Sequence, residues 1–463
     1  MLSLSLGSCF WVWDFVNHFD DPSGSNGYFY LKQTEALAGG LGFYFKDYSL
    51  AFLLPVTLMK ILGDSLTAYR VSTIGVWFAL TVGVGLLTRN LLSDQSPRIK
   101  NILPVAAVLA LVSTTQLYDL SLTFFKNTFA LNLIIWALFF ATSSRPRDWK
   151  WAWVGVLTLA ALLSHKSVLL MIACFGIPFL FQQVSKKKLA IATGCMSLTV
   201  GLFLWHFDKA YAHFLAMLNY FSPPTRWWFW MLRLRWINLE LLMTFFCLLI
   251  ILLLGIWTYR KVSSEKKFYV AGAVVFLCFA LHPFQIPGPN GPSYRLLLIA
   301  PVFGIPLLML ALSHIPRGLF ALPIFLVAFV SQIFIHVHPI DDVFTPFAVI
   351  KEEVLRIKEF VEPQDHLTSH HGLEFFIDYT TGIRSRSFLS DYPEQKAFRV
   401  AYLARSWIRK NEVQVAARQQ ALLEIGSEYL LFKEIDWQEF KARFKIPRHW
   451  KNPEVHRPNF ISE

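Results

Sequence analysis

The chain has 463 residues, of which 55% are hydrophobic and 16% charged, and its formal net charge is +12. Soluble domains carry about a quarter charged residues, so this composition excludes a single water-soluble domain. From Phe344 onward there are 18 Lys/Arg against 17 Asp/Glu, whereas the preceding portion holds 25 against 14. The basic excess therefore sits in short loops between apolar blocks. That is the pattern of membrane topology and excludes a nucleic-acid partner.

In chain order, apolar blocks run over 1–16, 69–88, 101–118, 127–143, 151–164, 166–184, 188–206, 236–258, 267–282, 295–313 and 318–338. About 20 apolar residues are needed to cross 30 Å of hydrocarbon at 1.5 Å per residue. About eleven transmembrane helices are therefore expected. Ala51 to Leu62 contains Pro55 and Lys60 and is too short to span, so it is expected to be re-entrant or interfacial. The first block lacks the basic leader of a signal peptide. Five cysteines (Cys9, Cys174, Cys195, Cys247 and Cys278) lie inside apolar blocks and read as small buried residues.

Dense basic loops set the orientation: Arg89, Arg98 and Lys100; Arg145, Arg147 and Lys150; Lys186 to Lys188; Arg260, Lys261, Lys266 and Lys267; and Arg317. These belong on the cytoplasmic side. The alternate loops, with the stretch 14–68 and the tail, then face outward. The expected setting is a bacterial inner membrane with the tail in the periplasm.

From Asp341 charge becomes frequent and apolar runs shorten. The spacing predicts a helix over Phe347 to Val361, a strand over His371 to Thr380, and helices over Phe398 to Arg409 and Val415 to Ile425. The predicted architecture is a polytopic α-helical membrane domain over 1–340, followed by a small C-terminal α/β soluble domain over 341–463.

Fourteen Asp/Glu precede Phe344, and six of them (Asp14, Asp20, Asp21, Glu35, Asp47 and Asp64) fall between the first two spans. Clustered carboxylates near hydrocarbon are costly unless they share a proton or a cation. The bland reading, a solvated loop, is preferred for Asp14, Glu35 and Asp64. The adjacent pair Asp20-Asp21 is the functional candidate.

The order of residues carries a resemblance. His18-Phe19-Asp20-Asp21 is followed by Gly27-Tyr28-Phe29-Tyr30, then by Gly42-Phe43-Tyr44-Phe45-Lys46-Asp47-Tyr48-Ser49-Leu50. Pro55, Gly63-Asp64-Ser65 and Tyr69-Arg70 complete the series. Over about residues 10–90 this resembles the start of GT-C glycosyltransferases such as the protein O-mannosyltransferases and aminoarabinose transferases. The Pro-Pro that usually follows the aromatic stretch in that family is replaced here by Tyr48-Ser49.

The resemblance implies a sugar donor linked to a polyprenyl phosphate and transfer on the outer side. It assigns general-base work to Asp20 or Asp21, with Asp47 as a second acidic group and Tyr28 and Tyr30 beside the substrate. A divalent metal, if one is used, would fall to Asp20, Asp21 and His18. The acceptor (lipid, glycan or protein) is left open. A departing lipid phosphate needs positive partners. Lys126, His165, Lys166 and Arg295, the last after Tyr294 in a Gly/Pro-rich loop, stand at outer helix ends. The alternative for each cation is a snorkelling anchor to membrane lipids. No His-Glu-x-x-His, Gly-x-Ser-x-Gly or Walker loop occurs. Two other functions fit the composition: a lipid or solute transporter or flippase, and a non-catalytic partner in envelope glycan assembly.

Overall fold

The computed structural model describes residues 1–17, 22, 24–42, 44, 48–114, 117–118, 120–121, 124–143, 147–165, 167–183, 239–281, 292–335, 349–369, 373–386, 397–402, 418–419, 421–427 and 429–433. Helices occupy the apolar blocks: α1 (Leu2–Asn17), α4 (Ser65–Leu91), α5 (Pro97–Val112), α6 (Phe125–Ala141), α7 (Arg147–Ser164), α8 (Val168–Gln183), α9 (Leu239–Thr258), α10 (Ser264–Ala280), α11 (Pro292–His314) and α12 (Leu322–Ile335). The block at 188–206 lies outside the described residues. Among the described helices, Ser65–Leu91 and Arg295–His314 are long and apolar enough to cross a bilayer. Between α1 and α4 come α2 (Gly24–Ala38) and α3 (Leu53–Leu62), the latter entered through a short 3-10 turn.

α4 is the hub of the bundle, packing against α1, α3, α5, α6 and α11. α11 also meets α5, α9 and α10, and α10 packs on α8. Few side chains of α11 are left at the periphery: Leu298, Val302, Phe303, Ile305 and Leu308 are fully buried. Pro301 and Pro306 interrupt its backbone bonding, which membrane helices tolerate because neighbours satisfy the freed carbonyls. Tyr269 of α10 also donates its hydroxyl to the Phe303 carbonyl of α11 at 2.9 Å. Small residues let helices approach: a Cβ on Gly255 of α9 would lie 2.7 Å from Leu307 of α11. At the opposite end from the acidic stretch, Lys266 pairs with Asp94 at 2.7 Å and ties α10 to the α4–α5 turn.

The tail differs from the sequence expectation in detail. His371 to Thr380 was expected as a strand, but Leu373–Thr381 is a helix, and Phe398 onward begins in a strand. Helix α13 (Lys351–Leu355), a 3-10 turn and helix α14 (Leu373–Thr381) accompany five strands: β1 (His366–Thr368), β2 (Ser385–Arg386), β3 (Ala397–Tyr402), β4 (Leu423–Ile425) and β5 (Tyr429–Lys433). Their order is β2-β1-β3-β5-β4, parallel over the first three and antiparallel over β3-β5-β4. Leu373, Phe376 and Ile377 of α14 recur at helical spacing and are all buried, so core burial decides against their β propensity. In β3, Phe398 and Val400 alternate into the same core. Gly382, at φ +73°, ends α14, and its N–H returns to the Asp378 carbonyl at 2.9 Å. Of the described cysteines, Cys174 and Cys247 are buried, Cys9 is half-buried and Cys278 is exposed, contrary to expectation for the last.

Candidate functional site

The stretch between α1 and α4 is built onto the bundle by aromatic side chains. Tyr30 of α2 stacks on Tyr69 of α4 with ring centroids 5.6 Å apart, and both meet Phe125 at the start of α6. Glu35 of α2 accepts from the Ser65 hydroxyl at 2.8 Å. Gly63, at φ +77°, closes α3, and Asp64 then caps α4 by accepting from the Thr67 N–H at 2.6 Å. Hydrogen bonds from Thr67 hold the Asp64 carboxyl below the usual carboxylate range. The Gly-Asp-Ser run is thus a helix stop followed by a helix start.

The flanks of the acidic pair are fixed on both sides. Arg70 donates to Asn17, at the end of α1, at 3.3 Å. A Cβ on Gly27 would come 2.7 Å from that of Pro22, so glycine lets the chain after the pair close on α2. His18, Asp20, Asp21, Asp47 and Lys166 themselves lie outside the described residues, as does the side chain of Tyr294, whose backbone is in α11.

Two of the expected cations converge on one helix end. Lys126, in the first turn of α6, has its Nζ 5.2 Å from the Phe29 ring centre and 5.8 Å from that of Phe52. The Arg295 guanidinium lies 4.2 Å from the centre of the Phe124 ring, one residue before α6 begins. The α6 N-terminus adds its own positive end beside Lys126, and both favour an anion. Ser49 donates to the Ser164 carbonyl at 2.6 Å, which brings the end of α7, and with it His165, against the same stretch. His165 is half-buried, and its Nδ1 contacts the Ser167 hydroxyl at 2.7 Å.

Tyr28 and Tyr30 are 1% and 4% exposed. Their rings are committed to packing: Tyr28 lies 4.8 Å from Phe376 and 5.5 Å from Tyr379, in the core of the sheet region. No group of three or more His, Cys, Asp or Glu gathers among the described residues.

Sequence reasoning missed a polar cluster where α2 meets α14. Asp378, 1% exposed, accepts from the Tyr44 hydroxyl at 2.7 Å and pairs with Lys32 at 3.5 Å. Lys32 and Arg384 lie 5.5 and 5.2 Å from the Tyr44 ring centre. Burial pushes the Asp378 carboxyl above its ordinary range, opposed by Tyr44, Lys32 and Arg384. Burial and the Asp378 charge likewise raise the Tyr44 phenol. The available signal was a carboxylate beside Ile377 on the apolar flank of a helix, visible only once that segment is read as helical.

The whole arrangement matches solved structures. ArnT from Cupriavidus metallidurans in the apo state superposes with a TM-score of 0.56 at 10% identity, covering 94% of this chain and 97% of that one. Its structure bound to undecaprenyl phosphate gives a TM-score of 0.57 at 10% identity, with 94% and 98% covered. The fold is the GT-C fold. No protein-family model matches the chain, and no curated protein is similar to it in sequence. The GT-C likeness therefore rests on shape over nearly the full length, in agreement with the resemblance carried by residues 10–90.

Proposed function

We propose that the protein is a glycosyltransferase that takes a sugar from a polyprenyl-phosphate-linked donor and delivers it to an acceptor on the outer side of a bacterial inner membrane. The observation that carries this reading is that Lys126, in the first turn of α6, lies over Phe29 and Phe52 of the stretch 14–68, while Arg295 lies over Phe124, the residue before α6. ArnT, with the same fold, has been solved with undecaprenyl phosphate bound. In this reading about eleven helices span the bilayer, and the α/β region over 341–463 faces outward with the 14–68 stretch.

The chemistry is a substitution at the anomeric carbon. An acceptor hydroxyl attacks, its proton passes to Asp20 or Asp21, and the bond from the anomeric carbon to the phosphate oxygen breaks. The departing polyprenyl phosphate gains negative charge, which a bidentate guanidinium at Arg295 and the Lys126 ammonium offset. Asp47 orients the acceptor. A divalent cation, if used, would rest on His18, Asp20 and Asp21, and the base and cation roles above do not depend on it. Low-dielectric surroundings strengthen each charge contact, which suits a site at headgroup depth.

Purified protein in lipid discs, given a polyprenyl-phosphate sugar, tests the proposal. Replacing Asp20 and Asp21 together by Asn should lower kcat by at least about 100-fold, the usual scale of general-base catalysis. Thermal unfolding should be unchanged, since Asn keeps the volume. Undiminished transfer in that variant would remove the proposed base.

A further inference from the structure

We infer that Asp378 is a positioning residue: from α14 it reaches back to the first outer stretch and fixes it in the geometry that sugar transfer requires. The inference rests on the transferase reading above and extends it to the tail, which no residue motif links to the reaction.

Three observations carry it. α14 packs along α2, with Tyr28 seated on Phe376 and Tyr379, so tail and first outer stretch share one core. Within that contact a carboxylate is buried to 1% exposure, an expensive placement unless its charge is matched and hydrogen-bonded. Its two oxygens are divided between two points on the outer stretch: Lys32, on α2, and Tyr44, beyond the glycine turn that ends α2. Arg384, just past Gly382, lies 5.2 Å from the centre of the Tyr44 ring, so the short α14–β2 connection also meets that ring.

The second anchor of this stretch is Ser49, held on the Ser164 carbonyl at the end of α7. In sequence, Asp47 stands three residues after Tyr44 and two before Ser49. One tether comes from the tail and the other from the bundle, and the candidate acidic group lies between them along the chain. A buried pair of this kind adds little net stability compared with an apolar replacement, because desolvation offsets attraction. Its consequence is directional: it allows Tyr44 one position and not several. Misplacement of a catalytic stretch by about 1 Å can cost on the order of 100-fold in rate.

The test uses the full chain in lipid discs and three variants: Tyr44→Phe, Asp378→Asn and Asp378→Leu. Asn retains an oxygen that can accept from Tyr44, whereas Leu retains neither interaction. Hydrogen exchange of the amides over 39–49 should rise in Tyr44→Phe and Asp378→Leu and rise less in Asp378→Asn. For transfer, kcat should fall by about ten- to a hundredfold in the first two, with partial rescue in Asp378→Asn. The donor KM should change by less than about threefold, since Lys126 and Arg295 are untouched. Unchanged exchange in all three variants would overturn the proposal. So would raised exchange with an unchanged kcat, which would make the contact merely structural. Should Asp378→Leu fail to fold, Tyr44→Phe, which removes one oxygen, decides alone. An inactive wild-type protein would overturn the transferase reading, and exchange would then decide the clamp by itself.

Discussion

In the proposed setting, two aromatic clusters of similar make-up would stand in different solvents. In the bundle, Phe303 of α11 lies 4.9 Å from Phe175 and 4.8 Å from Phe276, all well buried. Where α2 meets α14, Tyr28 packs on Phe376 and Tyr379. Rings at the bundle core leave lipid tails that are as apolar as themselves, so they gain packing and little hydrophobic transfer. Rings between α2 and α14 would leave water and gain both. Contact geometry alone therefore does not set the energy of a cluster. The same contrast would explain the polar contacts: around α2, the described residues add Lys32–Asp378, Tyr44–Asp378 and Glu35–Ser65. Between the large helices the described contacts are mostly apolar.

The comparison breaks or sharpens under substitution. Phe376→Ala should cost the outer layer about 3–5 kcal/mol, the full transfer-plus-cavity value. Phe303→Ala should cost about 2–3 kcal/mol, the cavity contribution alone for about 100 Å³ of lost volume. Equilibrium unfolding of both variants in mixed micelles measures the difference, and equal losses would contradict the two-solvent account. The smallest effect is expected at the start of α4. Asp64→Ala should cost about 1 kcal/mol through the lost cap. Because the Asp64 pKa is lowered on folding, its contribution is complete above the ordinary value of 3.8 and is lost as pH falls through the depressed one. Wild type and variant should thus converge in acid, and a gap that persisted below that range would place the effect elsewhere.

Much of the helical framework was legible because a bilayer forces long apolar runs, and Ser65–Leu91 and Arg295–His314 announce themselves by composition. The tail was harder. β1 has three residues and β2 two, too few for any period to show. In α14, Phe375, Phe376, Ile377, Tyr379 and Thr380 are all strand-favouring types, so local preference pointed to a strand and packing on α2 decided otherwise. At the candidate site, Lys126 and Arg295 were readable as cations at helix ends. That both reach the same helix end could not be read, because Phe124 and Arg295 are joined only through the fold. Tyr28 and Tyr30, expected beside substrate, pack their rings on Phe376 and Tyr69, and an aromatic side chain can serve either role with the same letter.

Binding of undecaprenyl phosphate to the full-length protein in lipid discs tests the central claim most directly. Binding to the wild type should be saturable, and weaker by about ten- to a hundredfold in Arg295→Gln and in Lys126→Gln, the scale of one charge-assisted hydrogen bond. Affinity that survived undiminished when both were replaced together, in a protein that still folds, would contradict it.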